Sequence, residues 1–504
     1  MNLFAIDIGT TSCKAGLFAP DGRPLRIARR PTPLRRAAEG HTYYDPEELW
    51  QTAASAIGEA AGHPGTRSIG VVGVASMGEA GLLVDVRTGA PRSAFVPWND
   101  PCATPQAALL HSAADPRERF LATGWRAGFK CSLAKILWLR DRDPEALRGA
   151  AWLSVAGYIA YRLTGAMGMD YSLAGRTFAF DVTRREWDGP WLRSLGLDPG
   201  LFPPATPSGM PIGRTMPGGP GLPAGVPVGI TGHDHVCASF AAGIGTESGG
   251  GLAPGAVFNS MGTAEAIMGV LPARPLTAAD HASGFAFGCH TVPDMLYWLG
   301  GISASGGSVE WLRGLLGERP LPYRRMAALL DQAGDAPTGI LYFPFLAGRG
   351  SPHSDMAVRG AFTGLSAAHG RPHLVKAAVE GVCYEVAATL RAAEAVTGRL
   401  VDRLLTVGGG ARLPAWLQIK ADVTGCAVEA RAIPEPTLLG AARAGGAGAG
   451  LYGGFGEAAA AARPVAVKLV APDPGRHEAY RRLFETGYEP MSAALHRLAA
   501  GEPP

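Results

Sequence analysis

The chain alternates apolar runs with glycine-punctuated turns, and its first eighteen residues set the pattern. Residues 3–8 are apolar apart from Asp7, Gly9-Thr10-Thr11-Ser12 interrupts them, and a second run follows around Lys14 to residue 18. Two such runs across a short polar turn predict a β-hairpin. Residues 23–30 predict a third strand, and Pro46–Ala61 carries helical spacing with Asp45 as its cap. Residues 68–75 are a continuous β-rich run, suited to a strand buried on both faces. Ser76-Met77-Gly78-Glu79 leaves it as a loop. Short strands are predicted at 82–86 and 94–96, helices at 129–140 and 153–163, and a strand at 226–231. That strand runs into Gly232-His233-Asp234-His235 and a helix to residue 242.

The later half repeats the order. Residues 257–268 read as strand, Gly262-Thr263 turn, strand. Helices follow at 308–316, 372–397, 414–425 and 477–498, and strands at 339–346 and 404–407. Gly408-Gly409-Gly410-Ala411 is a turn, and residues 445–454 predict a flexible Gly/Ala segment. The glycine-dense stretch 243–255 is the linker. The expected domains are 1–245 and 246–490, in an α/β fold of two mixed sheets flanked by helices.

Composition narrows the function classes. With 504 residues the chain exceeds one ordinary core. A net charge of +3 gives no support to a nucleic-acid or membrane-surface partner. Seven scattered cysteines without a CxxC pair read as reduced thiols of a cytoplasmic protein. No apolar run reaches membrane-spanning length, and the apolar start is broken by Asp7.

The first hairpin carries candidate chemistry. Gly9 lets backbone approach a ligand, and successive turn amides with the hydroxyls of Thr10, Thr11 and Ser12 can cradle an anion. Lys14 adds positive charge, and Asp7 is placed to hold Mg²⁺ beside phosphates. The alternative is a surface hairpin with an ordinary polar turn. Neither G-x-G-x-x-G nor G-x-x-x-x-G-K-[ST] stands here.

The Gly-Thr hairpin resembles the first phosphate loop of the actin, hexokinase and heat-shock chaperone superfamily, which needs a second loop, and Gly262-Thr263 offers one. Four stretches together resemble the FGGY carbohydrate kinase family: Asp7 to Ser12, Gly232-His233-Asp234, residues 360–365 with 373–381, and Gly408 to Arg412 with Trp416-Leu417-Gln418. The resemblance implies two RNase H-like domains with a cleft between them, ATP and Mg²⁺ as cofactors, and a sugar or polyol acceptor. It implies Asp234 as general base and Asp7 with Asp234 at the metal. Thr10, Thr11, Ser12, Lys14, Gly262 and Thr263 would meet phosphates, and Gly306, Glu310, Gly409, Gly410 and Ala411 would meet the nucleoside. Met77, Gly78, Glu79, Trp98, Asp100, Asp234 and His235 would face the acceptor.

Against that pattern, Glu310 replaces a Gln of glycerol kinases, and Met77-Gly78-Glu79 stands where xylulokinases carry Met-His and glycerol kinases Arg-Glu. His235 stands where those relatives carry Asn or Gln. Asp234 could instead be a helix cap, and Glu79 a solvated loop acid. His233 and His235 invite a metal reading, but strand alternation would turn both away from Asp234. An actin-like ATPase and a non-catalytic sugar-binding regulator are the alternatives from other classes; the candidate assembly is a homodimer.

Overall fold

The computed structural model describes residues 1–245, 255–317, 319–461 and 467–501. Most of the expected linker, residues 246–254, lies outside the described residues. Two sheets organise the chain. The first contains β1 (Asn2–Ile8), β2 (Ser12–Phe18), β3 (Pro24–Pro31), β4 (Ile69–Ser76), β5 (Pro211–Arg214) and β6 (Pro227–His233), in the order β5-β6-β4-β1-β2-β3. Its centre is parallel, β1 with β4 and β4 with β6, and β1-β2-β3 is an antiparallel meander.

The second sheet contains β7 (Ala256–Met261), β8 (Glu265–Pro272), β9 (Ala286–Cys289), β10 (Met295–Ile302), β11 (Arg403–Val407), β12 (Ala427–Arg431) and β13 (Val467–Val470). Its order is β9-β10-β8-β7-β11-β12-β13. Strands β10-β8-β7-β11-β12 reproduce the connectivity and directions of β3-β2-β1-β4-β6. The fold is therefore the expected pair of mixed sheets. The buried strands are the continuous apolar ones, Leu3 to Ile6 and Val71 to Ala75 among them.

Local chemistry explains several boundaries. Asp45 caps α1 (Pro46–Ala61) by accepting from Glu48 N at 2.9 Å. Residues 94–96, expected as a strand, make only isolated bridges, Phe95 to Tyr44 and Val96 to Gly81. The segment 445–454 departs further from expectation. Its first part is not a flexible tether: α6 (Pro436–Gly448) runs into it, and Leu438 to Gly446 are buried. Its small residues allow very close packing. A Cβ on Gly440 would lie 1.9 Å from Cys237 O, and one on Gly448 would lie 2.2 Å from the Gly209 carbonyl carbon. Cys237 belongs to α2 (Asp234–Ala241), so α2 and α6 touch backbone to backbone. One apolar cluster, with Ala5, Val71, Cys237, Phe258, Leu405 and Leu438, joins the two sheets through these helices.

A buried polar network braces the second hairpin. Glu265 and Lys420 are fully buried and ion-paired. Lys420 Nζ also donates to Asn259 Oδ1 at 2.7 Å, Asn259 Nδ2 to Glu265 Oε1 at 2.7 Å, and Ser305 Oγ to Glu265 Oε2 at 2.6 Å. This ties β7 and β8 to α3 (Gly306–Leu315) and α5 (Pro414–Thr424). α4 (Arg371–Thr397) packs against α5 and β10.

Two variants test this packing. Gly440→Ala should lower stability by about 1–3 kcal/mol, the cost of forcing a methyl into a filled contact, read as a lower Tm together with weakened activity. Lys420→Met leaves Glu265 buried without its cation and should cost about 3–5 kcal/mol in denaturant unfolding; unchanged midpoints would contradict both accounts.

Candidate active site

The first sheet delivers three chain segments to one edge. Asp7 pairs with Ala75, which also aligns with Gly232, and the next row is Ile8, Ser76 and His233. The three parallel strands therefore end together and release Gly9, Met77 and Asp234 at their C-terminal edge, where open α/β sheets receive ligands. Gly9 N donates to Ser12 O at 3.1 Å, closing the tight turn. Thr32 Oγ1 donates to Gly9 O at 2.7 Å, and Thr32 N to Thr11 O at 3.0 Å, so the turn is held from its neighbouring strand. Thr11 is exposed, while Thr10 Oγ1 accepts from Trp98 Nε1 at 2.9 Å. The phosphate-turn candidate and an acceptor-side candidate thus share a hydrogen bond.

Asp7 is buried, with Lys14 Nζ 3.2 Å from its Oδ2, and Lys14 also lies 3.2 Å from Glu435. Its other oxygen, Oδ1, is buried without a hydrogen-bond partner among the described residues. Burial pushes the Asp7 carboxyl up to about 6; Lys14 pulls it down and the nearby Asp234 adds to the rise. A desolvated carboxylate with an unmet oxygen, facing a second carboxylate, fits a hard divalent cation such as Mg²⁺.

Asp234 opens α2, and the residue before it, His233, is the cap position and makes no side-chain capping bond. At the helix start the Asp234 carboxylate uses one oxygen, Oδ1, which accepts from the first-turn amide of His235. Three contacts fall on Oδ1: His235 N at 2.6 Å, His235 Nδ1 at 2.8 Å and His233 Nε2 at 3.2 Å. Oδ2 takes part in none of them. Burial pushes the Asp234 carboxyl up, but the flanking His233 and His235 outweigh it and hold it well below the usual carboxylate range. Burial lowers His235, yet the Asp234 carboxylate more than offsets this and keeps the imidazole above its ordinary value. His233, buried and close to Arg176, is held well below its own.

Contrary to strand alternation, both histidines turn toward Asp234. The chain leaves extended conformation at His233 and coils at Asp234, so both rings fold onto the carboxylate and stack 5.4 Å apart. The ligand atoms of His233, Asp234 and His235 all lie within 4.8 Å of one another.

On the acceptor side, Met77, Gly78 and Glu79 are buried. Glu79 is not a solvated loop acid: it has φ 57° and is ion-paired with the buried Arg176. Arg176 Nη1 donates to Tyr297 OH at 3.1 Å, and its guanidinium lies 4.4 Å over the Trp125 ring. Asp100 turns to bracing: Oδ2 accepts from Thr42 N and Thr42 Oγ1, each at 2.6 Å, and Oδ1 from Cys102 N at 3.0 Å. Those bonds outweigh the burial that would raise it and keep its carboxyl below the usual range.

The second hairpin builds a separate cavity of about 570 Å³, lined by Gly262, Thr263, Gly306, Glu310, Gly409 and Gly410 together with Tyr323, Arg412 and Trp416. Its turn is exposed and anchored to α3, because Gly306 N donates to Gly262 O at 3.0 Å and Gly307 N to Thr263 O at 2.9 Å. A Cβ on Gly306 would lie 2.5 Å from Gly262 O, so only glycine permits that approach. Position 409, by contrast, has nothing within 4 Å of a Cβ. Ala411 sits in the short turn Gly410–Arg412 beside the cavity but is not among its lining residues. Glu310 bonds Arg313 at 2.6 Å and Tyr323 OH.

Contacts join the first-sheet cluster to the later half of the chain: Arg176 to Tyr297, Lys14 to Glu435, and Thr437 Oγ1 to Asp234 O at 3.4 Å. Sequence reasoning did not single out Arg176, Tyr297, Tyr323 or Lys420. Arg176 follows a short helix with no motif, and Tyr297 reads as one more apolar strand residue. A lysine inside the apolar helical run of α5 was the available signal for Lys420.

Residues 2–241 match the N-terminal domain, and residues 257–449 the C-terminal domain, of the FGGY family of carbohydrate kinases. A glycerol kinase of Thermus brockianus is 32% identical over 467 residues, covering 89% of this chain and 90% of its own. A xylulose kinase of Bacillus subtilis is 27% identical over 472 residues, covering 91% and 90%. The crystal structure of xylulose kinase from Rhodospirillum rubrum superposes with a TM-score of 0.88 at 25% identity, covering 99% of this chain and all of the other. With both domains matched in order and relatives alike along nearly their whole length, the chain belongs to the FGGY family of carbohydrate kinases.

Proposed function

We propose that this ATP-dependent carbohydrate kinase transfers the γ-phosphate of MgATP to a hydroxyl of a ketose or polyol, with a xylulose-type ketose first and glycerol or another polyol second. The observation that carries the mechanism is the Asp234 carboxylate, oriented through Oδ1 by two histidines, with Oδ2 outside those contacts.

Phosphoryl transfer to an alcohol requires the hydroxyl to be in line with the phosphorus and its proton to be taken. Oδ2 of Asp234 accepts that proton. The histidine contacts favour the ionised, proton-accepting form of the carboxylate and limit its rotation. The acceptor binds over Trp98 and the 77–79 loop, and the nucleoside in the cavity of the second hairpin. The phosphates extend from Gly262-Thr263 toward Thr10, Thr11, Ser12 and Lys14. Asp7, with Asp234, would hold Mg²⁺, which supplies positive charge to the phosphate oxygens when bound. Residues 1–245 serve the acceptor and 246–490 the nucleotide. Closure of the two halves excludes water, a competing nucleophile.

Seven free cysteines, most of them buried, support a reducing compartment such as the cytoplasm. No helix among the described residues is long and apolar enough to cross a membrane. A non-catalytic regulator is disfavoured by the oriented base, and an ATPase switch by the buried acceptor-side loop.

The first test is ADP release by the purified chain with MgATP across pentuloses, hexuloses, polyols and glycerol. Acceptor-independent hydrolysis alone would overturn the kinase assignment. Asp234→Asn should lower kcat by about 10²–10⁴ while ATP binding by calorimetry stays intact. Gly409→Leu should project into the open part of the nucleoside cavity and raise the KM for ATP about tenfold or more, the effect of about 1.4 kcal/mol of lost binding. The acceptor KM should move less than twofold; a change in the acceptor KM instead would remove the nucleoside from that cavity.

A further inference from the structure

Arg176 is a buried cation with partners in both halves of the chain. It lies in a short turn, Gly175–Thr177, nearly a hundred residues from the loop it serves. Its guanidinium enters the space beside Gly78, where a Cβ would stand 2.5 Å from Arg176 Nε and 2.6 Å from His233 Cδ2. The lack of a side chain at position 78 is what lets the guanidinium through. Its Nη2 then holds Glu79, whose φ of 57° is a conformation that non-glycine residues seldom adopt. Its Nη1 holds Tyr297 OH, and Tyr297 is a fully buried residue of β10 in the second sheet. Arg176 and Glu79 belong to the half matched by the N-terminal family domain, and Tyr297 to the half matched by the C-terminal one.

One planar group therefore fastens the acceptor loop on one side and the opposite half on the other. It also stands against His233, which contacts the Asp234 carboxylate. The ion pair is buried at both ends, with side-chain exposures of 7% and 4%, so it is little screened by solvent. Its rigid fork can serve two partners at fixed angles, which an ammonium cannot.

We infer that Arg176 is a positioning residue that couples the 77–79 loop to closure of the two halves. With Glu79 held, the guanidinium is aimed at Tyr297; with the Tyr297 bond made, the halves are drawn to the spacing at which Asp234 and the transferred phosphate align. The inference rests on the kinase reading for its consequence in turnover, but the latch itself is a property of the ligand-free chain.

Two measurements on Tyr297→Phe and Arg176→Lys test it. Tyr297→Phe removes one hydroxyl and keeps the ring, and Arg176→Lys keeps the charge facing Glu79; circular dichroism and Tm confirm that each is folded. Small-angle scattering of the ligand-free proteins should give a larger radius of gyration for both variants than for the parent. This arm needs no acceptor, so it judges the latch even if the acceptor screen fails. With an acceptor in hand, kcat should fall about 10- to 100-fold in each, the usual worth of a hydrogen bond to a charged group, with both KM values within threefold. The double variant should lose no more than the worse single one, because the two groups make one contact. An unchanged radius of gyration overturns the inference. So does a loss confined to the acceptor KM, which would make Arg176 a binding group, and so do fully additive losses in the double variant.

Discussion

The position of Asp234 depends on how closely two helices can lie. α2 begins at Asp234, and α6 meets it where Gly440 faces the Cys237 carbonyl at a separation that admits no side chain. Because α2 is fastened this tightly, its first residue has a fixed position relative to both sheets. The same contact lets one apolar cluster run from Ala5 and Val71 through Cys237 and Leu438 to Phe258 and Leu405. The two halves thus share an interior at the base of the cleft, while the edges that carry the turns remain exposed.

Electrostatics divides the work between the halves. Around Asp234 lie Asp7, Lys14, Glu79, Arg176 and two histidines, each paired across short distances, so local charge is nearly balanced. The unmet oxygen of Asp7 and Oδ2 of Asp234, outside the histidine contacts, are the exceptions, and on the proposed reading they are the atoms that a cation and a hydroxyl proton would satisfy. Under the second hairpin the charges of Glu265 and Lys420 are sealed from solvent and serve only to hold the turn. Its cavity combines glycine, aromatic and aliphatic lining with a few polar groups, Thr263, Glu310 and Arg412, which suits a flat heterocycle with polar edges.

Much of this was legible in the chain. Both hairpins, the parallel strands and the turn at Gly408 follow from local apolar runs and glycine, and these signals are short-range. What escaped is long-range. The Gly/Ala stretch at 445 looked like a tether because glycine lowers helix propensity, yet burial against Gly209 and α2 compensates for that weakness. The histidines flanking Asp234 were read by strand alternation, which fails where a strand becomes a helix within one residue. Arg176 and Tyr297 carry no local mark, since their roles depend on a meeting across 121 positions. Asp100 is an acceptor-side residue by resemblance, a match of residue type that carries no information on its bonds; the loop uses it as a brace for Thr42 and Cys102.

The repeated hairpins are alike in topology and unlike in charge. The row that pairs Asp7 with Lys14 in the first corresponds to the row that pairs Ser260 with Ala266 in the second. Two identical turns would grip a chain of phosphates equally well end for end. On the proposed reading, Asp7, Lys14 and Asp234 on a single wall would abolish that degeneracy and give the clamp a polarity: the anionic tail would be read as a vector, its metal-bearing terminus toward the wall that carries Asp234.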